Sequence, residues 1–134
     1  MSDDRVELVR TAWRAYEDGD PASVIEFLDP EIEVYSAPEV GNPGTFHGHE
    51  GFARWMAHWF EAWEEFTQEI LTVEPVGERC VLTDTRQTAR ARGGLEFERT
   101  ATYLYEVRNE KAVYLGLYID AEAARAAALE RESA

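Results

Sequence analysis

Cysteine and lysine each occur once in this chain, at Cys80 and Lys111. A lone cysteine excludes an internal disulfide and a site built from several thiolates. Basic residues are few altogether, with 13 Lys and Arg against 27 Asp and Glu and a formal net charge of −14. Such a surface repels phosphate instead of trading it for counterions, which excludes nucleic acid and anionic membrane surfaces as partners. No apolar run approaches the length that spans a bilayer. The start, Met1-Ser2-Asp3-Asp4, is acidic and has no apolar segment, so no signal peptide and a cytoplasmic location are expected. His47, His49 and His58 never combine metal-site spacing with a third ligand. Neither a metal nor another cofactor is expected.

What is abundant is aromatic and apolar: 12% and 45% of the 134 residues. Disorder is excluded by that composition, and the length suits one domain, residues 1–134, able to bury about two-thirds of its surface. The ring-rich stretch is Gly48 to Phe66. Phe52, Trp55, Met56, Trp59, Phe60 and Trp63 fall there on the i, i+3, i+4, i+7 stripe of one helical face. Three indoles on one stripe are costly to expose, so a large concave surface lies opposite them. That stripe is either plain core or one wall of a pocket.

Around it the chain reads as helices first and strands after. Asp4–Glu17 forms a first helix, with Asp4 and Glu7 at capping-box spacing and Gly19 as its stop. Asp20-Pro21 then caps a short helix, Ala22–Leu28, and Glu31–Ser36 alternates as a strand. A loop from Ala37 to His47 leads into the aromatic helix. Residues 67–76, 79–92, 95–107 and 112–119 are long strand-like runs separated by hairpin breaks. Their length predicts a strongly bent sheet with bulges. Asp120 caps a last, Ala-rich helix, Ala121–Glu130. The class is α+β, with helices over one face of an antiparallel sheet.

The order of these elements resembles the SnoaL-like branch of the nuclear transport factor 2 and ketosteroid isomerase superfamily. Glu17-Asp18-Gly19-Asp20, Leu28-Asp29-Pro30-Glu31-Ile32-Glu33-Val34 and Phe46-His47-Gly48-His49-Glu50-Gly51 carry the resemblance, with Leu117-Tyr118-Ile119-Asp120 before the final helix. It implies a cone-shaped α+β barrel: three N-terminal helices on a strongly curved antiparallel sheet, a short C-terminal helix, an apolar pocket inside and a homodimer. The fold does not fix the chemistry.

Ketosteroid isomerase requires an Asp base with a Tyr and a protonated Asp as oxyanion donors. The Tyr position falls here at Ala12 or Trp13, the base at or beside Tyr35, and the second Asp near Ala101, so none of the three is kept. That activity is not expected. The Asp–Arg–Asp set of limonene epoxide hydrolase is half present at best: Val81-Leu82-Thr83-Asp84-Thr85-Arg86 resembles its arginine strand, but its second Asp aligns with Leu117. Polyketide cyclases of the SnoaL type ask only for one acidic base in an apolar cavity. Glu33 and Tyr35, two apart on one strand face, are candidates, as are Asp84 and Arg86. The latter two are an acid–base or anchoring pair if they point inward, and an ion-paired solvent or dimer face if outward.

Aromatic side chains on several elements can meet inside such a cone. Trp13 and Tyr16 on the first helix, Phe52, Trp55, Met56 and Trp59 on the third, and Tyr103 and Tyr118 on the strands are the expected ligand-binding set. The expected function is a pocket for a hydrophobic small molecule. It acts either as a cofactor-free acid–base isomerase, cyclase, lyase or hydrolase, or as a non-catalytic binding protein. A protein-interaction module is the weakest alternative, since it wants an exposed apolar patch beyond the dimer face.

Overall fold

The computed structural model describes residues 3–40 and 43–133. Its elements in chain order are α1 (Asp3–Glu17), α2 (Pro21–Phe27), β1 (Leu28–Ser36), a 3-10 turn (Pro38–Val40), β2 (Gly44–His47) and α3 (Gly48–Ala62). Then follow β3 (Trp63–Val76), β4 (Cys80–Ala91), β5 (Glu96–Arg108), β6 (Lys111–Tyr118) and α4 (Ala121–Ser133). The six strands form one curled, unclosed sheet in the order β2-β1-β6-β5-β4-β3.

Several local signals act as the sequence predicts. Asp20 caps α2 by accepting the Ser23 N–H at 3.3 Å and the Ser23 hydroxyl at 2.7 Å, with Pro21 as first helical residue. Gly19 ends α1 at φ +72°, a conformation that costs glycine little. The Asp120 carboxylate accepts the Glu122 N–H at 2.9 Å, as a capping residue does. The β3–β4, β4–β5 and β5–β6 pairs are antiparallel and carry bulges in β3 and at Glu106/Val107.

Other expectations need correction. Asp4 lies one residue inside α1 and does not cap it. Helix three ends at Ala62, not Phe66, because Trp63 turns extended and pairs with Ala91 while Phe66 pairs with Ala89. The expected loop at 37–47 contains β2, paired with β1; positions 41 and 42 lie outside the described residues, as do 1 and 2 at the acidic start. The sheet is mixed, since β1 runs parallel to β6. Finally, α4 does not join the other helices but packs on the opposite sheet face, where Ala128 accepts from the Cys80 thiol and Arg131 covers the Tyr114 ring at 3.7 Å. Gly116 makes room there. A Cβ on it would stand 2.7 Å from the Tyr118 ring and 2.8 Å from the Tyr114 hydroxyl.

Charge ties the far end together. Glu106, with its side chain 4% exposed, accepts from Arg108 and Arg131 at 2.6 Å each, and Arg79 stands 3.6 Å away. Glu132 on α4 accepts the backbone N–H groups of Glu78, Arg79 and Cys80 at 2.8 to 3.0 Å. Arg5 reaches from α1 to the carbonyls of Val76, Gly77 and Cys80. Burial raises the pKa of both carboxyls, but the donors outweigh it, and each titrates below the ordinary 4.5. The stability they contribute is therefore complete above about pH 4.5 and is lost as pH falls through their lowered folded values. Thermal melts should be flat from pH 7 to 5 and fall below that. Glu132→Gln should flatten the acid limb; an unchanged limb would show that Glu132 contributes nothing to it.

No helix among the described residues is long and apolar enough to cross a membrane.

Candidate functional site

The concave side of the sheet is identified by alternation and register. Val34 and Ser36 of β1 pair with Leu115 and Leu117 of β6, which pair in turn with Tyr105 and Tyr103 of β5. Thr83, Thr85, Gln87 and Ala89 of β4 continue that face, and all four are buried. Helices α1, α2 and α3 cover it.

Between helices and sheet lies a cavity of about 60 Å³. Trp13 and Tyr16 of α1, Val24 and Phe27 of α2, and Phe52, Trp55 and Met56 of α3 form its helical wall. Gln68, Tyr103, Tyr105 and Leu115 form its sheet wall. With the side chains as they stand, that is room for a few waters or a ligand fragment. A second hollow, of about 430 Å³, lies between the end of α1, α2 and α3 and shares Tyr16, Val24, Phe52 and Met56 with the first. Those four side chains separate the inner space from the outer groove. Met56 is the most adaptable of them, being unbranched and flexible.

The aromatic residues pack edge to face around this space: Trp13 meets Tyr16 at 5.6 Å and Tyr103 at 5.1 Å between ring centroids. Polar groups enter at one place. The Tyr103 hydroxyl donates to Gln68 Oε1 at 2.6 Å, Gln87 Nε2 donates to the same oxygen at 3.0 Å, and Arg99 Nε donates to Gln87 Oε1 at 2.7 Å. Burial pushes the Tyr103 and Tyr105 hydroxyls well above the ordinary phenol value, and raises Tyr16 too. It pushes the Arg99 guanidinium down. Cys80 lies on the other face, its thiol raised to about 12 by burial and the Glu132 carboxylate, so it is no nucleophile.

Of the residues expected from sequence, Trp13, Tyr16, Phe52, Trp55, Met56 and Tyr103 all line the cavity. Trp59 lies deeper, against Trp63 and Phe66. Tyr118 does not join them. Its hydroxyl meets that of Tyr114 at 2.8 Å and its ring meets Tyr35 at 5.5 Å, on the sheet face that α4 covers in part. Glu33 and Tyr35 pair in register with Tyr114 and Gly116 and stand on that same outer face. Asp84 accepts there from Thr72 at 3.1 Å and Thr102 at 2.8 Å, and Arg86 ion-pairs with Glu69 at 3.0 Å. No candidate carboxylate therefore lines the cavity. Sequence reasoning missed Gln68, Gln87 and Arg99, which look like ordinary polar strand residues. A buried strand position holding a long polar side chain was the available signal.

The sequence matches the SnoaL-like domain family over residues 9–115. No curated protein matches the chain in sequence. Among solved structures, a nuclear transport factor 2-like protein of unknown function from Burkholderia pseudomallei superposes with a TM-score of 0.78 at 20% identity, covering 91% of this chain and 95% of that one. TerC, co-crystallised with polyporic acid, gives 0.77 at 17% identity over 92% and 96%. A Mycobacterium tuberculosis protein in complex with estradiol-17β-hemisuccinate gives 0.70 at 11% identity over 89% and 95%. At these identities the likeness is one of fold.

Proposed function

This chain belongs to the SnoaL-like domain family, and we propose that it is a cytoplasmic binding protein for an apolar small molecule, held between α1–α3 and the concave sheet face. The observation that carries this is the composition of the cavity wall: aromatic and aliphatic side chains, one amide, three phenols and no carboxylate. Small-molecule sites have that make-up, a few polar groups set in an apolar lining. Two fold neighbours crystallised with small organic ligands support a pocket in this architecture.

Binding without turnover is favoured over cofactor-free acid–base catalysis. A general base needs a pKa near the working pH. The titratable groups on the cavity wall are Tyr16, Tyr103 and Tyr105, and burial drives all three away from neutrality. Glu33 and Asp84, the acids the sequence offered, stand on the far side of the sheet. Ketosteroid isomerisation is not expected for the same reason.

Entry is from the groove between α2 and α3, by displacement of Met56 and its neighbours. A panel of steroid-like, terpenoid and aromatic polyketide compounds should then quench tryptophan fluorescence through Trp13 and Trp55. A hundredfold excess over the dissociation constant should add about 2.7 kcal/mol of stability. If no compound moves either fluorescence or melting temperature, the rings are core and there is no binding pocket.

We also propose a homodimer through the outer face of β3–β5, the part that α4 leaves uncovered. It would bury on the order of 1,600 Å² in total. Sedimentation at micromolar concentration should show a species of twice the 15.3 kDa chain mass; a monomer alone would refute it.

A further inference from the structure

Gln68 of β3, Gln87 of β4 and Arg99 of β5 stand on one rung of the sheet, each the register partner of the next, on the concave face. The cation at the end of this rung fixes the direction of every hydrogen bond along it. A guanidinium only donates, so Gln87 must turn its Oε1 toward Arg99 Nε, 2.7 Å away. Its Nε2 then faces Gln68, which has to present Oε1 at 3.0 Å. That oxygen also takes the Tyr103 hydroxyl proton, at 2.6 Å, so both its lone pairs are occupied. What remains is Gln68 Nε2, which points to the Tyr16 oxygen at 3.4 Å, long for a hydrogen bond. The Tyr16 proton has no acceptor among the described residues.

Arg99 itself is unusual in this acidic protein. Arg79 and Arg131, similarly part-buried, both face Glu106. Arg99 has no carboxylate within ion-pair distance among the described residues. Its guanidinium lies over the Trp59 and Phe97 rings at 5.3 and 5.0 Å, one Nη donates to the Val40 carbonyl at 3.3 Å, and the other is buried without a partner. An uncompensated positive charge in an apolar surrounding polarises the dipoles attached to it. Here it turns the N–H end of each amide toward the cavity.

We propose that this rung makes the cavity selective for an acceptor oxygen: the carbonyl of an otherwise apolar ketone, quinone or lactone, held by Gln68 Nε2–H and Tyr16 O–H. A cationic amine of the same shape meets donors and a like charge. The proposal rests on the pocket reading above and adds the chemistry of the ligand's polar end. Gln68 and Tyr16 are the specificity-determining groups, and Arg99 and Gln87 position them.

Three probes of matched shape test it by equilibrium dialysis against the intact protein: 2-acetylnaphthalene, 2-isopropenylnaphthalene, in which a methylene replaces the carbonyl oxygen, and protonated 1-(2-naphthyl)ethylamine. The ketone should bind about two- to tenfold tighter than the hydrocarbon, the range one net hydrogen bond provides, and the amine most weakly. Gln68→Leu should bring the ketone-to-hydrocarbon ratio to about one, with circular dichroism and a cooperative thermal melt reporting that the variant is folded. Tyr16→Phe, at a part-exposed position, should halve the ratio or more. Arg99→Met should lower it without any contact to the probe being lost. A wild-type ratio of one, or an amine that binds as well as the ketone, overturns the proposal and leaves the pocket standing. Failure of all three probes to bind overturns the pocket itself, and the proposal with it. A ratio that survives Gln68→Leu and Tyr16→Phe also refutes it. Should either variant fail to fold, the wild-type ranking still decides.

Discussion

Trp55→Ala is expected to destabilise the protein by about 3–5 kcal/mol, and indole added to the solution is expected to restore much of that loss. Trp55 is 4% exposed and forms part of the cavity wall, so its removal forfeits its own burial and enlarges a space that exists already. The neighbours on that wall are rings held by other rings, such as Trp13 by Tyr103, and cannot collapse far into the gap. An apolar molecule of the lost shape can refill it. At a hundredfold excess over its dissociation constant, indole should return about 2.7 kcal/mol. The wild type should respond less at the same indole concentration, because its cavity of about 60 Å³ admits a bicyclic ring only after Met56 and its neighbours move, whereas the variant has the space already. Chemical denaturation of both proteins with and without indole separates the cases. Equal stabilisation of the two would mean that indole binds elsewhere. No rescue of the variant would mean that helix three serves only as core.

Glu106→Ala should cost about 3 kcal/mol and lower the melting temperature by about 10 °C. Glu106 is buried, and its two oxygens each accept a charged N–H, from Arg108 and Arg131. Removing a buried partner from such a set leaves its counter-charges uncompensated, which is the costly way to break an ion pair. The low end of the range applies because Arg79, Arg108 and Arg131 are each partly exposed and regain water. Glu106→Gln, which keeps the shape and one acceptor oxygen, should lose less. A loss under 0.5 kcal/mol for the alanine variant would reduce the cluster to a surface network of the ordinary kind. Neither substitution touches the cavity, so ligand affinity should be unchanged in whatever fraction remains folded.

The contrast between these two sites follows what each owes to local sequence. The aromatic stripe of α3 is visible because helical periodicity is a property of neighbours three and four apart. Phe52, Trp55 and Met56 of that stripe stand on one side of the cavity. Caps at Asp20 and Asp120, the stop at Gly19 and the long hairpin strands are visible for the same reason: each is a contact within a few residues. The Glu106 cluster joins residues up to 52 positions apart, from Arg79 just before β4 through β5 to Arg131 on α4, and nothing local announces it.

For the strands, alternation divides side chains into two faces but does not say which face is concave. Glu33, Tyr35, Asp84, Arg86 and Tyr118 share one face and Tyr103 has the other; only the placement of α1–α3 against one side and α4 against the other made the first set peripheral. The sequence by itself determined the aromatic stripe of α3 and the α+β order of the elements, because both rest on residues close together in the chain. The tertiary structure alone decided where α3 gives way to β3 and that Gln68, Gln87 and Arg99 share a rung. That rung depends on the bulge between Ile70 and Thr72, which sets the β3–β4 register at Gln68 and Gln87. A bulge shifts the pairing by a residue, and since side chains alternate with a period of two, each shift decides which residues meet inside the cone.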